Sequence, residues 1–122
     1  MNRTEEIELL EQLEQWNSKD EYSQCIQAIE AIPEQERGYL LTVKLSRAYS
    51  NLAVLGDHGE HGTDSEVDGN LIQHAIRLLE SVRTQGENDP YWNSRMGYSC
   101  LMAYSSAATA YEYAKCWLAL AP

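Results

Sequence analysis

The sequence predicts an all-α protein of about six helices arranged in three antiparallel pairs. Apolar residues recur at helical spacing along almost the whole chain. Val, Ile and Thr never alternate with polar residues over a strand length, and capping or stop residues separate the periodic segments. The expected organisation is one domain over 1–122, with units at 4–33, 35–86 (interrupted by a loop at 56–70) and 89–122.

In the first helix, Thr4 is the candidate N-cap, Glu5 and Glu6 suit the positive end of the helix dipole, and Leu9, Leu13 and Trp16 form a stripe. Ser18 to Glu21 has the spacing of a capping box. Tyr22, Cys25, Ile26, Ile29 and Ile32 then share a face until Pro33 stops the second helix. The third helix, from about Gln35, carries Leu41, Leu45, Ala48, Tyr49 and Leu52 and ends at Gly56, a residue suited to a left-handed cap.

From Gly56 to Asn70 there are four Gly, five acidic residues, two His and almost no apolar content, which predicts a surface loop. Asp68 or Asn70 caps the fourth helix, which turns Ile72, Ala75, Ile76, Leu79 and Val82 inward and closes near Gly86. Asp89-Pro90 is an N-cap followed by a proline at the first helical position, and opens a fifth helix bearing Trp92, Met96, Gly97 and Cys100. Ser105 or Ser106 caps the sixth, Ala107 to Leu120. Its charges are Glu112 and Lys115, so it is apolar nearly all round.

Composition narrows the function classes. A chain of 122 residues can bury roughly two thirds of its unfolded surface, so neither disulfides nor a metal is needed to hold it together. Phe is absent, leaving eight Tyr and three Trp to fill the large packing positions. The net charge of -10 repels phosphate backbones and anionic membranes, so no nucleic-acid or membrane partner is expected. Residues 1–36 hold ten acidic residues against Arg3 and Lys19, a solvated acidic face that would also suit a basic partner. Cys25, Cys100 and Cys116 are odd in number without C-x-x-C spacing and read as small buried hydrophobes. With no signal-peptide core and no apolar run near the length of a membrane span, the expected location is the cytoplasm.

One pattern occurs three times: Cys25-Ile26 with Ile29 and Ile32, Ala75-Ile76 with Leu79 and Val82, and Ala110-Tyr111 with Ala114 and Trp117. Once roughly fifteen loop residues are removed, the interval between the small residues is about 35, near the period of one helical-hairpin family. Met96-Gly97, Ala110 and Pro122 in the last unit, and Leu45, Tyr49 and Ala75 in the middle one, stand where that family keeps its signature residues. The chain thus resembles the tetratricopeptide repeat family. It departs from the pattern at Cys100 and Trp117, and its first unit matches only through Trp16, Tyr22 and Cys25.

The resemblance implies a right-handed α-solenoid that binds a polypeptide on its concave face, as a scaffold or interaction module without catalysis or cofactor. It also implies groove positions on the first helix of each pair: Leu40, Val43, Arg47, Ser50 and Asn51, then Tyr91, Ser94, Tyr98, Leu101 and Met102. Lys44, Arg47 and Asn51 share one helix face and suit a carboxylate; some members of the family clamp a C-terminal carboxylate with Lys, Arg and Asn from several helices. Asn93 and Arg95 fall outside the expected register.

Two further functions are expected as alternatives. The last helix, with Tyr111, Tyr113, Trp117, Leu118 and Leu120, suits self-association as a homodimer, unless it belongs to a longer array or turns those residues inward. The acidic N-terminal third suits an inhibitor or immunity-type protein that neutralises a basic enzyme. The loop residues Asp64, Glu66, Asp68 and Gly69 imitate a calcium loop until its twelfth position, which is Ala75 rather than Glu. His58 and His61, with Asp57 or Glu60, have transition-metal ligand chemistry, but a solvated insertion is the expected reading and no metal is assigned. His74 reads as surface or satisfied packing, and Ser99, Ser105 and Ser106 lack the context of a nucleophile.

Overall fold

The computed structural model describes residues 1–60, 67–103 and 107–120, with backbone alone for 107–110. The regular elements among them are all helical: α1 (Arg3–Ser18), α2 (Tyr22–Glu30), α3 (Tyr39–Leu55), α4 (Gly69–Ser81), α5 (Arg83–Gly86), α6 (Pro90–Met102) and α7 (Ala107–Leu120), with short 3-10 turns at Glu34–Glu36 and Asp57–Gly59. None of the described helices is long and apolar enough to cross a membrane.

Local chemistry sets most of the boundaries. Asp89 accepts the Tyr91 N–H ahead of Pro90, and Asp68 accepts those of Asn70 and Leu71, so both expected caps form. Gly56 ends α3 at a φ of 70°, a backbone region a side chain would strain. Other expectations are corrected. Asn2, not Thr4, caps α1 by accepting the Glu5 N–H at 2.8 Å. Ser18 is the last residue of α1 and donates its hydroxyl to the Gln15 carbonyl, so no capping box opens α2. The fourth helix stops at Ser81, and the separate turn α5 carries the chain on to Gly86. Cys25 and Cys100 are buried as expected, whereas Cys116 is exposed.

The start of α2 is capped from a distance. Asp57 Oδ1 accepts the Ser23 N–H at 3.0 Å, and the Asp20 carbonyl accepts the His58 N–H at 2.8 Å. The first residues of the expected surface loop are therefore part of the fold, tied to the α1–α2 turn. Partial burial alone would raise the Asp57 carboxyl, but hydrogen bonds from Ser23 and Tyr22 outweigh it and hold it below its ordinary value. Asp57→Ala should lower stability by about 0.5–2 kcal/mol in denaturant unfolding, the usual loss for an N-cap, and an unchanged midpoint would remove that role. His61, Asp64, Glu66, Ser105, Ser106 and Pro122 lie outside the described residues.

Helix α3 is central, touching α1, α2, α4 and α6. One side of it gives Leu41, Leu45 and Ala48 to a cluster with Leu13, Cys25 and Ile29. Val43 joins a second cluster with Leu79, Trp92, Met96 and Cys100. Val43 and Ser50 are thus buried rather than groove-lining. The buried Ser46 hydroxyl donates to the Ala75 carbonyl at 2.7 Å, joining α3 to α4 with its polar group satisfied.

Candidate binding site

The residues with unspent polar chemistry lie together where α1, α3 and α6 meet. On α3, Lys44 Nζ stands 2.9 Å from Glu14 Oε1, and Arg47 Nη1 stands 3.0 Å from the same oxygen. Asn51 donates through Nδ2 to Asn17 Oδ1 at 3.2 Å. Lys44 and Arg47 thus hold a carboxylate of the chain itself, Glu14 of α1, while Asn51 meets Asn17.

Helix α6 completes the cluster. Arg95 was expected outside the register, but its Nη2 donates to Ser50 Oγ and, at 3.3 Å, to Asn51 Oδ1. Its guanidinium lies 4.7 Å from the centre of the Tyr98 ring, and Lys44 Nζ lies 4.9 Å from that of Tyr91. Tyr91, Arg95 and Tyr98 follow one another at four and three residues, the spacing of a single helix face, and that spacing is the signal that could have placed Arg95. Asn93, by contrast, is buried and serves the fold by donating to the Glu87 and Asp89 carbonyls.

The charge balance is uneven. One guanidinium and one ammonium share a single carboxylate, and the acceptors of Arg95 among the described residues are neutral. Burial, and then the neighbouring Arg47, push Arg95 below its ordinary value. Burial also raises the Tyr98 phenol, against the pull of Arg95. Arg47 Nε, Arg95 Nε and the Tyr91 hydroxyl are buried without a hydrogen-bond partner among the described residues. Each such group costs about 1–3 kcal/mol relative to a satisfied one.

Partial burial would raise the Glu14 carboxyl, but hydrogen bonds and attraction from Lys44 and Arg47 hold it below its ordinary 4.5. A depressed folded-state value means the ion pairs add stability above that pH, and the stability is lost as pH falls through the folded value. Because the Glu14 side chain is 52% exposed, the contribution is small, under about 1 kcal/mol. Glu14→Gln should therefore be slightly less stable than the parent in urea unfolding at pH 7, with the deficit shrinking as the pH falls below 4.5. A deficit that does not shrink with falling pH would assign the effect to packing.

The other expected residues divide. Ser94 and Leu101 line a cavity between α6 and α7 together with Tyr98, Tyr111 and Trp117, while Leu40 is exposed and Met102 half-buried. On α7, Tyr111, Trp117, Leu118 and Leu120 are exposed. Tyr113 turns inward instead: its ring meets Trp92 edge-on and its hydroxyl accepts from Arg83 at 2.7 Å. His74 packs its ring against Tyr49. No family model, no curated protein and no solved structure matches the chain.

Proposed function

We propose that this chain is a non-catalytic interaction module that binds a polypeptide by a carboxylate, on a concave face formed by α1, α3 and α6. The carrying observation is the cluster of Lys44, Arg47 and Arg95, with buried donors left over in a protein of net charge -10. In this reading the helices form three tetratricopeptide-like antiparallel pairs of a right-handed solenoid, α1 with α2, α3 with α4, and α6 with α7. The packing of α1 on α3 and of α3 on α6 supports it, because first helices of successive pairs are neighbours in such a stack.

The ligand in this proposal carries one carboxylate and is otherwise neutral. A polyacidic segment would meet the acidic remainder of the protein, whereas a single carboxylate meets the local excess of cations. Guanidinium–carboxylate bonding is directional and stronger in a partly buried site than in water.

The test compares the pentapeptide acetyl-Gly-Ser-Gly-Ser-Leu with a free C-terminus and its C-terminal amide, by isothermal titration. The free acid should bind at least about tenfold more tightly, and Arg95→Met and Arg47→Met should each remove the difference. Equal affinities for acid and amide, no binding of either at millimolar concentration, or a difference that survives both substitutions would overturn the reading.

A second reading, a homodimer through α7, is favoured by the exposure of Tyr111 at 62% and Leu118 at 67%. Sedimentation at micromolar concentration decides it: a species near 13.9 kDa counts against the dimer, and one near twice that mass supports it.

A further inference from the structure

We propose that Glu14 is an internal competitor for the ligand's carboxylate: in the free protein it occupies Lys44 and Arg47, and binding exchanges one carboxylate for the other. The inference rests on the proposed carboxylate binding and adds what regulates it.

Glu14 already sits as a bound carboxylate would. Its Oε1 accepts from Lys44 Nζ at 2.9 Å and lies 3.0 Å from Arg47 Nη1, while Oε2 accepts from the same Arg47 nitrogen at 3.2 Å. One carboxylate thus bridges both cations of α3, and a ligand approaching them meets donors in use with a like charge beside them. Arg95 is different, for its acceptors among the described residues are Ser50 and Asn51. A ligand carboxylate that reaches Arg95 as well gains a guanidinium that Glu14 does not hold, and this extra partner favours the exchange.

Two observations mark the Glu14 contact as exchangeable rather than structural. The first is exposure. The Glu14 side chain is 52% exposed, against 17% for Lys44 and 10% for Arg47. Packing holds the cations, whereas a displaced Glu14 returns to water, so this ion pair costs little to break. The second is anchorage, because α1 does not depend on the pair. Leu13, next to Glu14, is fully buried in the cluster with Ile29, Leu41 and Leu45, and Asn17, one turn on, accepts from Asn51. Helix α1 therefore stays in place when Glu14 turns away. Exposed side chains change rotamer on the order of nanoseconds or faster, so the exchange needs no backbone movement.

The contact also sets the charge that the site accepts. Lys44, Arg47 and Arg95 stand together with one carboxylate of the chain's own. A single incoming carboxylate leaves the cluster cationic, whereas a second would be pressed against the displaced Glu14. Glu14 therefore selects a monocarboxylate over a dicarboxylate.

Isothermal titration tests this with acetyl-Gly-Ser-Gly-Ser-Leu, its C-terminal amide and the dicarboxylate acetyl-Gly-Ser-Gly-Ser-Asp, in the parent and in Glu14→Gln, Glu14→Ala and Glu11→Gln. Both Glu14 variants should bind the leucine acid about three- to fivefold more tightly than the parent, and the aspartate acid about tenfold or more. Affinity for the amide should not change. Glu11→Gln, which removes the same charge at an exposed position one turn away, should gain less than about twofold.

Unchanged or weaker binding of the leucine acid in both Glu14 variants, with the parent still preferring acid to amide, would overturn the competitor and leave the carboxylate site standing. An equal gain in Glu11→Gln would assign the effect to net charge and refute the exchange. Acid and amide bound alike in all four proteins would remove the carboxylate reading and with it this inference.

Discussion

Replacing Trp92 by alanine should lower the folding stability by about 3–5 kcal/mol, a large part of the roughly 5–15 kcal/mol that holds a small domain folded. Trp92 is fully buried at the first turn of α6, in the cluster with Val43, Leu79 and Met96. Its indole N–H donates to the Leu79 carbonyl at 2.9 Å, and the Arg83 guanidinium lies 5.1 Å from its ring. The ring therefore joins α4, α5, α6 and, through Tyr113, α7. Truncation loses both the burial of an aromatic and the contacts that set α7 on α6. Trp92→Phe keeps most of the volume but loses the indole donor, and should cost less, about 1–2 kcal/mol. Urea unfolding of the three proteins measures the series; a loss under about 1 kcal/mol in the alanine variant would mean that this cluster does not hold the C-terminal half.

The second large effect is at Gly86, where a Cβ would stand 2.3 Å from Cγ and Cδ1 of the Trp92 ring. Alanine is otherwise the better residue in a helix by roughly 0.5–1 kcal/mol, so any net destabilisation reports the clash. The ring is buried and fixed by its hydrogen bond to Leu79, leaving it little room to yield. Gly86→Ala should cost about 1–3 kcal/mol, the range for overpacking a core. In a Trp92→Ala background the same change should cost little or become favourable, so the double-mutant cycle should show a coupling of about 1 kcal/mol or more. Additive losses would show that Gly86 matters for its backbone and not for the ring beside it.

These two residues illustrate how far the sequence could be read. Trp92 was legible as an inward residue of its helix because the 3.6 period names the buried face. The reason for Gly86 was not, because its contact is with the ring of the next helix and no local pattern records it. Boundaries set by their own neighbours, such as Asp89-Pro90, Asp68 and Gly56, were visible in advance. The cap on α2 was not, since Asp57 lies 34 residues from Ser23.

The candidate site divides along the same line. The helical period puts Lys44, Arg47 and Asn51 on one face, but it says which residues share a face and not what stands opposite them. Opposite stand Glu14, Asn17 and Arg95, supplied by α1 and α6. Arg95 was displaced in the expected register because a repeat with degenerate signature residues leaves the rotation of α6 loosely fixed. Helix α7 is apolar nearly all round, so periodicity could not distinguish the inward Tyr113 from the exposed Tyr111.

The central claim is that the guanidiniums of Arg47 and Arg95 receive a carboxylate from another molecule. Their side-chain Nε–H resonances in ¹⁵N-labelled protein report on it directly, because both Nε atoms are without a hydrogen-bond partner among the described residues. On titration with acetyl-Gly-Ser-Gly-Ser-Leu bearing a free C-terminus, both resonances should shift along one saturable curve, and the amide of the same peptide should leave them in place. Saturable binding of the free acid with neither resonance moving would contradict the account.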